Sequence, residues 1–246
     1  MRNATTAEAG FVTKTWALVR KDMSIEFRAK ATLPPMVAFV LAVTVLLAFA
    51  LPAGSEMTAP VDLPLGAVPL ADVLAGFLWV TILFAGLIGF ARTFEVERTT
   101  GAMDALLLAP LDRSGLYLAK AITNLVFVML VQALLFPAFA LLFDIRLGGE
   151  WWLFLLVAAV TDIGFVSLGT LFASVAAQTR SRELVLPVLA LPALVPLFIG
   201  ATELTGQLFL DGGAGSVLEA GWFVILAAFA GIFSVVGALA ADFVLD

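Results

Sequence analysis

The sequence contains no cysteine and no histidine. Their absence excludes disulfides, thiol chemistry, zinc sites of the usual kind and histidine ligation of haem iron. It also excludes histidine-based general base catalysis and a Ser-His-Asp triad. No Gly-Lys pair occurs, so the chain has no Walker A phosphate loop and we expect that it does not hydrolyse ATP alone. We therefore predict a chain that is not itself an enzyme and that binds no cofactor or metal.

Charged residues are also scarce, whereas apolar residues are abundant. Of 246 residues, 62% are hydrophobic and 13% are charged, while a soluble domain carries about a quarter charged residues. Several uncharged runs reach the roughly 20 residues that a helix needs to cross a bilayer. These continuous runs differ from the alternating pattern of a membrane barrel. The sequence therefore predicts an all-α integral membrane protein.

The apolar runs predict six transmembrane helices after a polar N-terminal segment. Residues 1–30 lack the apolar core and cleavage site of a signal peptide, and we expect them to form a cytoplasmic N-terminus with an amphipathic helix. Residues 31–246 form the predicted transmembrane domain. Its spans are predicted at 33–53, 70–91, 115–143, 151–177, 184–202 and 218–241. Between the last two spans, residues 203–216 are predicted to form an irregular outer segment.

Basic residues predict the orientation, because cytoplasmic loops carry an excess of Lys and Arg. With the N-terminus inside, the cytoplasmic segments hold all but one of the 13 basic residues, and Arg146 alone lies outside. The outer loops are acidic instead. Both ends of the chain are therefore predicted to be cytoplasmic.

An apolar stripe marks the N-terminal segment. It consists of residues three or four positions apart, which places them along one face of a helix: Val12, Trp16, Val19, Met23 and Phe27. Such a helix lies in the membrane interface with its cations near anionic head groups. Two interpretations are open. The helix anchors the N-terminus, or it also contacts a cytoplasmic partner.

The segment between the second and third spans, residues 92–114, is longer and less polar than a simple turn. Charges continue the second helix into the cytoplasm, and a Thr-Thr-Gly run ending at Gly101 interrupts it. Residues 102–109 predict a short helix that ends at Pro110. Its apolar side consists of Met103, Leu106 and Leu107. An apolar helix held at the membrane surface predicts an exposed docking site.

Prolines interrupt the fifth predicted span at Pro187, Pro192 and Pro196. Each internal proline removes a helical hydrogen bond. Broken helices at membrane depth need protein or water to cover the freed backbone groups. The fifth span is therefore predicted to line the interior of the protein.

The fourth predicted span contains a single acid, Asp162. A charged side chain at the bilayer centre costs about 2.5–3.5 kcal/mol on insertion scales. Two interpretations are open for this residue. It belongs to a functional pathway, or it is a structural hydrogen-bond partner for a neighbouring helix.

These segments together resemble the CcmB family of cytochrome c maturation permeases, which are ABC-2 type transporter subunits. LVRKDMSIEFRAK, residues 18–30, resembles the elbow helix of ABC-2 type permeases. FEVERTTGAMDALLLAPLDRSGLYLAK, residues 94–120, is similar to the cytoplasmic loop of the CcmB family, and residues 164–200 are similar to its fourth and fifth spans. The proline-rich fifth span is the most family-specific of these features.

The resemblance implies two sets of residues, one at an interface with an ATPase subunit and one on the elbow helix. The implied ATPase-coupling interface comprises Glu95, Glu97, Gly101, Met103, Asp104, Leu106, Leu107, Pro110 and Arg113. The implied elbow-helix set comprises Trp16, Arg20, Lys21, Asp22, Glu26 and Arg28. In this scheme the helix at 102–109 sits in a groove of the ATPase, and ATP-driven closure tilts the spans that the loop joins.

The resemblance also implies a function in haem delivery or export for c-type cytochrome assembly, in the cytoplasmic (inner) membrane. The implied partners are an ABC ATPase subunit that supplies ATP hydrolysis, a haem-handling membrane protein, a second copy of the permease and the lipid bilayer, and no nucleic acid. Haem is implied as a candidate substrate and not as a cofactor of the chain. Two alternatives are open: a generic ABC-2 exporter for another substrate, or a membrane scaffold that relays ATPase motion to a haem-handling partner. A secondary transporter is disfavoured, because Asp162 would be its one coupling carboxylate.

Overall fold

The computed structural model describes residues 10–51, 56–64, 66–95, 101, 113–145, 147–179, 182–210, 217–218 and 221–244. Seven α-helices account for most of these described residues. They are α1 Phe11–Ala29, α2 Leu33–Ala50, α3 Leu70–Ala91, α4 Arg113–Leu142, α5 Trp151–Ala177, α6 Arg182–Phe209 and α7 Gly221–Val244.

Helices α2 to α7 are long and apolar enough to cross a bilayer, which confirms the predicted all-α membrane fold. The second and fourth spans have the predicted bounds, and the first, third and sixth differ by a few residues at their ends. A chain that crosses the bilayer six times has the segments before its first span and after its last span on the same side of the membrane. That this side is the cytoplasm remains a prediction from the charges.

The fifth span is longer than predicted. Helix α6 continues to Phe209 instead of ending at residue 202, so the expectation of irregular structure is wrong for residues 203–209. The reason is packing, because Leu204, Leu208 and Phe209 are buried at helical spacing and hold the extra turns against the bundle.

A short β-hairpin between α2 and α3 was not predicted. Strands β1 Pro60–Leu63 and β2 Gly66–Pro69 pair antiparallel, with Val61 opposite Val68. Gly66 has a φ of 128°, a conformation that glycine adopts without steric cost. The hairpin leads directly into the first residue of α3.

Helix α5 lies at the centre of the bundle and is the most buried of the six spans, whereas α2 and α7 are the least buried. Two glycines allow α3 and α5 to approach closely. The ring of Phe165 lies against Gly86, and the ring of Phe90 lies against Gly169. Small residues at helix crossings let backbones approach and gain van der Waals contact where lipid offers no hydrophobic driving force.

Candidate functional site

Helix α1 packs against the first turns of α4 through a face that carries both polar and apolar side chains. Thr15, Leu18 and Val19 are buried there, and an added Cβ on Gly115 of α4 would lie 3.2 Å from the side chains of both Phe11 and Thr15. The predicted apolar stripe therefore divides between two faces of α1. Its buried member is Val19 and its partly buried member is Met23, while Val12, Trp16 and Phe27 are exposed.

An ion pair fastens α1 to α4. The Nζ of Lys120 lies 2.9 Å from Oδ2 of Asp22, and Lys21 Nζ lies 3.0 Å from Oδ1 of the same carboxylate. The Lys120 side chain is only 5% exposed, and its Nζ also lies 5.5 Å from the centroid of the Phe94 ring, just beyond α3. Lys120 therefore joins α1, α4 and the start of the 92–114 segment. We call this region the elbow junction.

A second carboxylate of α1 caps the next helix. Oε1 of Glu26 accepts hydrogen bonds from the backbone N–H groups of Thr32 and Leu33, both at 2.8 Å. These N–H groups belong to the start of α2, where a helix has no internal acceptors for its first donors and favours negative charge. Glu26 is buried. The elbow helix is thus bonded to α2 as well as to α4.

Polar side chains continue from the elbow junction into the bundle. A cavity of about 50 Å³ is lined by both carboxylates of α1 together with Arg92, Lys120 and Asn124. The Thr93 hydroxyl donates to Oδ1 of Asn124 at 3.2 Å, and Asn124 Nδ2 donates to the Thr170 hydroxyl at 2.9 Å. These contacts link the residues just after α3 with α4 and with the C-terminal half of α5.

The predictions missed Lys120 and Asn124 as site residues. One signal in the sequence could have found them, because Lys120, Asn124 and Gln132 follow one another at spacings of four and eight residues. In a helix this spacing places the three side chains on one face, and polar residues inside a transmembrane helix face the bundle. All three are buried.

The residues of the implied coupling interface are only partly described. Glu95 pairs with Arg92 at 3.5 Å, Gly101 is exposed with a φ of 65°, and Arg113 begins α4. The remaining members lie outside the described residues, as does the predicted helix at 102–109: Glu97, Met103, Asp104, Leu106, Leu107 and Pro110.

Five of the six residues of the implied elbow-helix set divide into two groups, and the sixth, Lys21, is partly exposed and pairs with Asp22. Asp22 and Glu26 point into the protein and bind α4 and α2. Trp16, Arg20 and Arg28 are exposed on the other side of α1. The inward group holds the helix in place, and the outward group is available to lipid or a partner.

Asp162 lies near the middle of α5, as the twelfth of its 27 residues. It is 2% exposed, and Gln132 Nε2 on α4 donates a hydrogen bond to its Oδ1 at 2.8 Å. The structure therefore gives this acid a partner on a neighbouring helix.

The three prolines of the fifth span do not break α6, which is continuous from Arg182 to Phe209. Pro187 is partly buried, but Pro192 and Pro196 are exposed. For a single copy of the chain, the predicted interior position is therefore wrong at these two prolines. The physical reason is helical spacing, because the face that packs on the bundle consists of Leu186, Ala190, Leu194, Leu197 and Ala201.

Comparison with known proteins identifies the family. A sequence model described as "CcmB protein" matches residues 13–245. The chain belongs to the CcmB family. The resemblance found in the sequence is thereby confirmed, and the match includes the elbow junction, Asp162 and all three prolines of α6.

Two CcmB relatives carry the name heme exporter protein B. The protein from Rhodobacter capsulatus is 30% identical over 223 residues, which cover 91% of this chain and 93% of the relative. The protein from Haemophilus influenzae is 24% identical over 207 residues, covering 82% and 87% of the two chains. The similarity therefore extends across nearly the whole transmembrane domain.

Proposed function

We propose that this CcmB chain is the membrane permease subunit of an ABC transporter that acts in haem delivery or export for c-type cytochrome assembly. Membership of the family and the names of its relatives support the haem-related function. The six candidate spans support a permease. The missing Walker A motif agrees with ATP hydrolysis by a separate subunit.

Coupling to that ATPase takes place through the 92–114 segment and the elbow helix. The observation that carries this step is the contact of Lys120 with both Asp22 of α1 and the ring of Phe94. Because Lys120 is itself on α4, a force on the 92–114 segment reaches α3, α4 and α1 together. Because Glu26 of α1 accepts hydrogen bonds from the first backbone N–H groups of α2, a displacement of α1 also moves the start of α2.

The ATPase contacts Leu107 and its apolar neighbours, and the exposed side of α1 completes the docking surface. A nucleotide-binding dimer offers two such grooves, so the complex contains a second copy of the permease. A haem-handling membrane protein completes it, and the complex resides in the cytoplasmic membrane. The chain has no histidine and no cysteine. Histidine or cysteine ligands for haem iron therefore come from other subunits.

A strain that lacks the gene tests both the function in haem delivery and the docking of the ATPase through the 102–109 segment. Staining for covalently bound haem is compared after complementation with the wild-type gene, Leu107→Asp or Leu63→Asp. Leu63 is a matched control, because it is an exposed leucine of the hairpin at the other end of the spans. We expect wild type and Leu63→Asp to restore c-type cytochromes, and Leu107→Asp to fail although its membrane level is normal.

The two parts fail in different ways. Normal c-type cytochromes in the deletion strain would contradict a function in haem delivery. Full restoration by Leu107→Asp would contradict docking through the 102–109 segment and leave the haem function standing. Copurification of the ATPase with each variant identifies the affected step.

A further inference from the structure

A groove runs between α4 and α5 on the outside of the bundle, with a volume of about 560 Å³. Its floor contains small side chains, Ala133, Ala158 and Ala159. Its exposed walls include Met129, Leu155 and Ile163. A floor of small residues is the feature that allows the backbone of another transmembrane helix to approach closely.

Two polar side chains line this otherwise apolar groove, Gln132 and Asp162. Exposed tryptophans, Trp151 and Trp152, begin α5, and such tryptophans mark the membrane interface. At about 1.5 Å per residue, Asp162 lies about 16 Å further along the helix. That depth is close to the centre of a hydrocarbon layer about 30 Å thick.

The hydrogen bonding of Asp162 is incomplete. Gln132 occupies Oδ1, and among the described residues no side chain donates to Oδ2 and no cation pairs with the carboxyl group. Lipid has no donors at this depth, and an acid there is costly without a partner. A donor arriving through the groove would supply the missing contact.

A second copy of this chain offers Asp162 no cation at this depth. If two copies met groove to groove, they would bring two Asp162 side chains together, and one of them would have to take up a proton because like charges at close range cannot both ionise. Among the described residues of the spans, the buried cation Lys120 is already paired with Asp22. The complementary group must therefore come from a different polypeptide.

We propose that the α4–α5 groove docks a transmembrane helix of another protein, and that a Lys or Arg near the middle of this helix pairs with Asp162. The small floor accepts the helix backbone, the apolar walls pack its side chains, and the cation is neutralised by the carboxylate. Pairing of intramembrane charges in this way removes the cost that each would carry alone in lipid.

Energy transfer in vesicles tests this proposal without a known partner. The chain has no cysteine, so Gly149→Cys offers a single labelling site next to the start of α5, with open space around its Cβ. The probe is a leucine-rich transmembrane peptide with one central Lys, and the matched control peptide has Leu there. Both peptides carry acceptors at both ends, so that either insertion direction places an acceptor near residue 149.

In phosphatidylcholine vesicles we expect the Lys peptide to associate about threefold to tenfold more tightly than the Leu peptide. Asp162→Asn keeps an acceptor for Gln132 but removes the charge, and should abolish this preference. Ala159→Phe fills the floor while leaving Asp162 in place, and should weaken the binding of both peptides.

Equal association of the two peptides with the wild type would show that apolar packing or lipid alone occupies the groove, and would overturn the proposal. Retention of the Lys preference in both variants would overturn it as well. Neither the ATPase nor haem takes part in this experiment, so failure here leaves the permease assignment intact.

Discussion

The rings of Phe90 and Phe165 pack edge to face with their centroids 4.9 Å apart, where α3 crosses α5. Each ring also covers a glycine of the opposite helix, Phe165 over Gly86 and Phe90 over Gly169. The arrangement is reciprocal and leaves no room for a methyl group at either glycine. It holds the span that leads into the 92–114 segment against the most buried helix of the bundle.

Replacement of Gly169 by Ala should destabilise the protein, because the new Cβ overlaps the ring of Phe90. Overpacking of this kind costs about 1–3 kcal/mol. Thermal unfolding in detergent micelles measures the effect as a lower Tm. The control is Gly231→Ala, since an added Cβ there meets nothing within 4 Å. Equal Tm values for the two variants would show that α3 and α5 separate easily at this crossing.

The ion pair between Lys120 and Asp22 should contribute to stability as a unit. Removing one partner from a buried pair costs about 3–5 kcal/mol, because the other charge is left uncompensated. We expect Lys120→Met and Asp22→Asn each to be destabilising, and the double variant to lose less than the sum of the two. A double-mutant cycle on the free energy of unfolding measures this coupling, for which about 0.5–3 kcal/mol is typical of residues in contact. Strict additivity would contradict the contact.

Glu26→Ala should loosen the start of α2, because two backbone donors lose their acceptor. An unsatisfied buried donor costs about 1–3 kcal/mol. Hydrogen exchange measured by mass spectrometry should be faster for the peptide containing Thr32 and Leu33. Glu26→Gln serves as the matched variant, since its amide oxygen can still accept these bonds, and its exchange should stay close to that of the wild type. Similar protection in the Ala variant would contradict the capping role.

The predicted orientation can be tested with single cysteines, because the chain has none of its own. In intact cells a membrane-impermeant maleimide should label Gly149→Cys and should not label Arg28→Cys. Both positions are exposed, so permeabilised cells should show labelling of both. The reverse pattern in intact cells would place the N-terminus outside and contradict the prediction from the basic residues.

Much of the transmembrane architecture was predictable because hydropathy is a local property. The bounds of α3 and α5 agree with the predicted spans, since Pro69 precedes α3 and charged residues follow it, while polar residues flank α5 on both sides. The extension of α6 to Phe209 was missed because residues 203–209 contain polar side chains, among them Thr205. In the structure the Thr205 hydroxyl accepts a hydrogen bond from Trp79 Nε1 at 2.9 Å, and this contact with α3 is not visible in the local pattern.

The candidate site was predictable only in part, for a similar reason. The charged residues of α1 were singled out as a group, but nothing local distinguishes Asp22 and Glu26, which bind other helices, from Arg20 and Arg28, which are exposed. The distinction depends on which side of α1 meets α4. That choice is made by packing at Gly115, which is far from α1 in the sequence.

The sequence by itself determined the membrane class, the six candidate spans and the resemblance to the CcmB family, because apolar runs, charge positions and motifs are properties of consecutive residues. Only the tertiary structure decided that Lys120 pairs with Asp22, that Gln132 donates a hydrogen bond to Asp162, and that Pro192 is exposed on the outside of the bundle. These relationships depend on the rotation of each helix about its axis. That rotation is set by how its side chains pack against helices distant in sequence, where small residues allow close approach.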